Sequence, residues 1–167
     1  MKNQNSFFSI LISIMLLFNT IPTSATTVNT SATNDMQHTQ IMERYLTEMR
    51  RLQNEISSIA AEAIKSSSIN NEQLEDRIEL LNLEGERFYR EVQNYYQTVK
   101  GISPQNRDAL TAFNVLNSLF SSLYTLSTLI RTSDGLQRFT LLDSYFRLRL
   151  SAKDSMELLE DLLKNDR

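Results

Sequence analysis

Met42, Tyr45, Met49, Leu52, Ile56, Ile59 and Ala63 follow one another at alternating steps of three and four residues. That spacing keeps all of them on one side of a helix and is the seam by which one helix packs against another. Glu43, Arg44, Glu48, Arg50, Arg51, Glu55 and Glu62 occupy the positions between and read as its solvated face. A second seam, Leu74, Ile78, Leu81, Gly85, Phe88, Val92, Tyr95 and Val99, repeats the same steps. Two such seams point to a bundle of long helices. Three glycines and two prolines in 167 residues agree, since a sheet protein needs many more turn formers.

Local signals divide the chain. Asn34 with Gln37, and Asn70 with Gln73, have the spacing of a capping box. Gly101 suits the left-handed position that ends a helix, and Ser103-Pro104 supplies a cap followed by a proline at the first helical position. Ser133-Asp134-Gly135 is a tight connection. The expected helices span 34–66, 70–100, 104–132 and 134–164, each roughly 45 Å long. Short connections turn each helix back on the one before. The fold class is therefore all-α, an up-down-up-down antiparallel four-helix bundle over 34–167.

Two details of that bundle carry expectations. Glycine inside a helix costs about 1 kcal/mol relative to alanine, so Gly85 needs a packing reason. A bulky neighbour fits, either Phe88 or an aromatic from a facing helix; the sharper reading is a ligand-sized gap or a hinge. In the fourth helix the positions expected to be apolar and buried are Leu136, Phe139, Leu142, Phe146, Met156, Leu159 and Leu163. A second stripe runs through Leu141, Tyr145, Leu148 and Ala152, and a bend or a change of buried face is expected near Ser151.

Ahead of the bundle, residues 1–25 have the three parts of a signal peptide: Lys2, an apolar segment Phe7–Phe18, and small residues ending at Ala25. Residues 26–33, rich in Thr, Ser and Asn, form a flexible lead-in. The chain is thus expected to be exported, to a secreted, periplasmic or cell-surface location. It has no cysteine, so neither disulfides nor a lipid-bearing cysteine is available.

Chemistry is sparse. A formal charge of −3 is a poor match for phosphate backbones, so no nucleic acid is expected. The single histidine, His38, cannot supply the two Glu-x-x-His motifs of a dimetal bundle, and its polar neighbours suggest that it faces solvent. Neither a nucleophile turn nor a phosphate-binding loop is present. Glu72, Glu75, Asp76 and Glu79 read as a solvated face, and Arg138, Arg147, Arg149 and Lys153 as partners for acidic residues on neighbouring helices, the second helix first. The expectation is a protein that is not an enzyme and holds no cofactor or metal.

The stretch Ala109–Ile130 carries no charged side chain. Thr111, Asn114, Ser118, Ser121, Thr125 and Thr128 repeat along it as a neutral polar stripe, where another helix can approach closely. That stripe, with Tyr89 and Tyr96 off the second seam, is the candidate interaction surface. The expected partner is another protein or a further copy of the chain. Two alternatives remain: a small-molecule or lipid-binding bundle, with an enclosed cavity of a few hundred Å³ near Gly85, and a membrane-active protein that inserts its third helix.

Overall fold

The computed structural model describes residues 31–65, 71–99 and 101–165. They form four helices, α1 (Ser31–Lys65), α2 (Asn71–Thr98), α3 (Pro104–Arg131) and α4 (Gly135–Asn165), and no strand among the described residues. The signal peptide at 1–25, residues 26–30 of the lead-in and the capping position Asn70 lie outside the described residues. α1 is already helical at Ser31, so Asn34 sits within the helix and 31–33 do not belong to a lead-in. The first turns are held from α3, where Gln105 Nε2 donates to Asp35 Oδ1 at 2.7 Å.

The four helices pack as a bundle. Every member of the α1 seam is buried, as are Leu74, Ile78, Leu81, Phe88 and Val92 of the α2 seam. Removing a Leu, Ile, Val or Met side chain from water contributes about 1.5–3 kcal/mol, so these seams dominate what holds the helices together. α3 is the centre. It touches all three other helices, and Val115, Leu116, Leu119, Leu123, Leu126 and Leu129 are buried along it. α2 and α4 are not backbone neighbours among the described residues.

Connections follow their local chemistry. Gly101 has a φ of +83°, a left-handed conformation that a side chain would strain. Ser103 caps α3 by accepting from the Asn106 amide at 3.1 Å, with Pro104 next in line. Asp134 does the same for α4, its Oδ1 accepting from the Gln137 amide at 2.7 Å.

Cross-helix pairs fix which residues lie level. Between α1 and α2, Arg51 meets Glu84 at 2.8 Å and Arg77 meets Glu62 at 2.6 Å, and Arg44 pairs with Glu91. Arg131 reaches Glu75 at 3.2 Å between α3 and α2, and Arg50 pairs with Glu160 between α1 and α4. Exposed ion pairs of this kind are worth about 1 kcal/mol or less each. They mark register more than they add stability.

Two expectations are corrected here. In α4 the buried residues are Tyr145, Ala152, Met156, Leu159 and Leu163, continuing the stripe through Leu141 and Leu148, so one face stays buried past Ser151. Leu136, Phe139 and Phe146 belong to a different face and are exposed. The basic residues of α4 also do not pair with α2, because α1 and α3 lie between them. Arg147 pairs with Asp143 and Lys153 with Glu157 on α4 itself, while Arg138 serves backbone carbonyls.

Candidate interaction surface

The neutral stripe of α3 divides into two heptad-spaced sets. Thr111, Ser118 and Thr125 turn toward the interior and α4: Thr111 and Thr125 are buried, and the Ser118 hydroxyl lies 3.4 Å from that of Ser151. Their hydroxyls are spent locally, Thr111 donating to the Arg107 carbonyl at 2.9 Å and Thr125 to that of Ser121 at 2.8 Å. Thr111 and Thr125 are therefore not part of any outer surface. Asn114 and Ser121 are exposed and Thr128 is half-buried. They share the outer face of α3 with Leu110, Asn117 and Tyr124.

Tyr89 and Tyr96 are half-buried and engaged within the chain. Tyr89 packs on Phe113 of α3 with ring centroids 4.8 Å apart and on the edge of Phe120 at 5.8 Å, and Tyr96 stacks on Phe113 at 6.4 Å. Burial pushes the Tyr89 phenol above its ordinary range. These rings join α2 to α3 and are not free anchors. The six stripe residues and two tyrosines thus do not form one surface.

Gly85 faces the same ring system. A β-carbon built there would lie 2.7 Å from Cζ of Phe120 and 2.9 Å from its Cε1, so the missing side chain is the space that ring occupies. The gap remaining, lined by Leu52, Ile56, Leu81, Gly85, Leu119, Phe120 and Leu123, is about 10 Å³. That is room for one water molecule at most, and the cavity of a few hundred Å³ that the ligand-binding alternative requires is not found at Gly85.

His38 is the largest departure from the sequence reading. It is 7% exposed rather than in solvent. Its Nδ1 lies 2.5 Å from the Tyr95 hydroxyl, and its Nε2 lies 3.2 Å from Oδ2 of Asp108, itself 1% exposed. Arg107 donates to the other Asp108 oxygen from Nε and Nη2, both at 3.1 Å. A carboxylate can only accept, so Nε2 donates to Asp108, and Nδ1 shares a hydrogen bond with the Tyr95 hydroxyl. Burial and then the Asp108 charge push the Tyr95 phenol up. The network ties the start of α1 to the end of α2 and the start of α3. A sequence signal for it existed: His38 is four residues before Met42, one step further back along the seam. Among the described residues no cluster of His, Asp and Glu is arranged to hold a metal ion.

Large apolar side chains are exposed on every helix, among them Leu80 and Leu83 of α2 and Tyr124 of α3, and the run at heptad spacing is on α4. Leu136, Phe139, Phe146 and Leu150 are 77%, 70%, 49% and 56% exposed. With Asp143 they follow at steps of three, four, three and four, a second heptad seam turned outward. Their combined exposed surface is on the order of 500 Å², within the range of the largest apolar patch on a typical monomer, which is often a functional surface. No helix among the described residues is long and apolar enough to cross a membrane. Comparison with protein-family models, with curated proteins and with solved structures gives no match.

Proposed function

We propose that this protein is an exported, non-enzymatic bundle that acts by binding protein through the outward seam of α4. The observation that carries this reading is the exposed run Leu136, Phe139, Phe146 and Leu150, spaced as helices space the residues they bury against one another. An up-down-up-down antiparallel order belongs to the same reading. It is supported by the α1–α2 ion pairs, in which Arg44, Arg51 and Glu62 meet Glu91, Glu84 and Arg77 in descending order. Export rests on Lys2, the apolar run and the small residues before Thr26.

The bundle's interior favours this reading over a carrier of lipid or small molecules, since a drug-sized ligand needs about 300 Å³ or more. Its inward polar groups are matched to one another, and buried side-chain polar atoms without a partner are absent among the described residues. A buried network with every member satisfied serves specificity of packing.

The test is a binding comparison using extracellular or envelope proteins of the natural host. Wild type and a Phe139→Ser/Phe146→Ser variant are immobilised, and retained proteins, including added free copies of the chain, are quantified. Retention should fall at least tenfold in the variant while its circular dichroism is unchanged. Equal retention by both would refute the assignment to α4.

A further inference from the structure

We infer that the occupant of the outward α4 seam is a second copy of the same chain, docked antiparallel across a two-fold axis near Asp143. The inference rests on the reading of α4 as a protein-binding face and names the partner.

Three observations carry it. First, the seam reads the same in both directions: Leu136, Phe139, Asp143, Phe146, Leu150. A two-fold interface is self-complementary, each residue type meeting its counterpart on the other copy. An antiparallel pair centred on Asp143 sets Leu136 of one copy level with Leu150 of the other, and the phenylalanines between them level to within a residue. Asp143 meets its own copy in either orientation, but a parallel pair would also set Leu136 against Leu136 and Leu150 against Leu150.

Second, the charges close the arrangement. Arg147 donates from Nε to Asp143 Oδ2 at 2.8 Å, with both side chains more than half exposed. One helical turn separates them, so near the axis each Arg147 reaches its own Asp143 or the partner's with little displacement. Two aspartates and two arginines meet there with no net charge. A single polar position in an apolar seam is also the device by which paired helices fix register.

Third, the exposed apolar area is a large share of what a pair needs. A stable pair buries about 800 Å² on each partner. The α4 seam offers about 500 Å² of that.

The experiment uses the whole chain, which has no cysteine of its own to interfere. Sedimentation equilibrium should give a dimer. Asp143→Arg, which gathers four positive charges at the axis, should raise the dimer dissociation constant at least tenfold, and adding Arg147→Asp should restore it. Register is read by thiol cross-linking. An equimolar mixture of Leu136→Cys and Leu150→Cys chains should give a cross-linked heterodimer, while Leu136→Cys alone should not, because its two copies would stand roughly 20 Å apart along the axis. Self-cross-linking of Leu136→Cys alone would overturn the antiparallel assignment. A monomer at every concentration would overturn the second copy. If that monomer still retains a host protein through Phe139 and Phe146, the protein-binding reading stands without it. If it sediments with phosphatidylglycerol vesicles and retains no protein, both fall.

Discussion

Replacing Gly85 with alanine tests how tightly α2 and α3 are fitted. The new β-carbon would stand 2.7 Å from Phe120 Cζ and 2.9 Å from Cε1, where carbon contacts settle at about 3.5–4.0 Å. The ring must therefore retreat by roughly 1 Å against Tyr89, on whose ring it sits edge-on at 5.8 Å. Overfilling a packed core destabilises by about 1–3 kcal/mol, while exchanging glycine for alanine inside a helix contributes about 1 kcal/mol. The two oppose, and the steric effect wins by about 1 kcal/mol. In a Phe120→Ala background the ring is gone and only the helix contribution remains, so the same substitution should stabilise by about 1 kcal/mol. The sign reverses between backgrounds, with a coupling of about 2 kcal/mol. Urea unfolding of the four chains measures it, through midpoints compared at a common slope. If Gly85→Ala stabilises the wild type by the full helix contribution, Phe120 does not fill the space and the packing account of Gly85 fails.

Asp108→Ala takes the acceptor from buried His38 and should destabilise by about 3 kcal/mol in urea unfolding. His38→Leu combined with Asp108→Ala should recover part of that loss, because the histidine is no longer buried without its acceptor, while the Tyr95 hydroxyl loses its partner. Burial, with the nearby Glu91 charge adding to it, pushes the Tyr45 phenol up to about 12. A phenol raised in the fold contributes its stability in full below its ordinary value of about 10 and loses it as pH rises to the folded value, about 3 kcal/mol in all. Stability should therefore fall between about pH 10 and 12, and Tyr45→Phe should remove that part of the fall, read by unfolding midpoints at the two ends of the range. Arg138 donates to the carbonyls of Leu129, Thr132 and Ala63, at 3.1, 3.1 and 3.3 Å, closing the ends of α3 and α1 from the first turn of α4. Arg138→Met, which keeps the apolar stem, should cost about 2 kcal/mol by the same assay.

The seams of α1 and α2 were legible in the sequence because helical period is fixed by the backbone, so a run of steps such as Met42 to Ala63 commits to one face whatever it packs against. Gly85 was legible for a related reason: a glycine in a strong seam marks a neighbour's bulk, here that of Phe120. His38 was misread because its sequence neighbours are polar, whereas its burial follows from its place on the seam and from Tyr95 and Asp108, which are 57 and 70 residues away. α4 was misread for a different reason. It carries two apolar faces, and hydrophobicity alone does not say which one meets the bundle. That depends on how many neighbours the helix has, and α4 has only α1 and α3 as backbone neighbours among the described residues. The stripe of α3 was likewise cut in two by packing, which buries Thr111 and Thr125, sets Ser118 against Ser151 of α4 and leaves Asn114 and Ser121 outside.

The small side chains that α3 turns toward α4 also have a kinetic consequence. Ser118, Ser122 and Thr125 let the two backbones run close, and α3 and α4 share the most extensive backbone proximity of any helix pair. They are joined by only Thr132, Ser133 and Asp134. A short loop makes these contacts the least demanding in chain entropy to form. The α3–α4 hairpin should be the first part of the bundle to assemble and the last to exchange its amide hydrogens, with α1 and α2 closing over it afterwards.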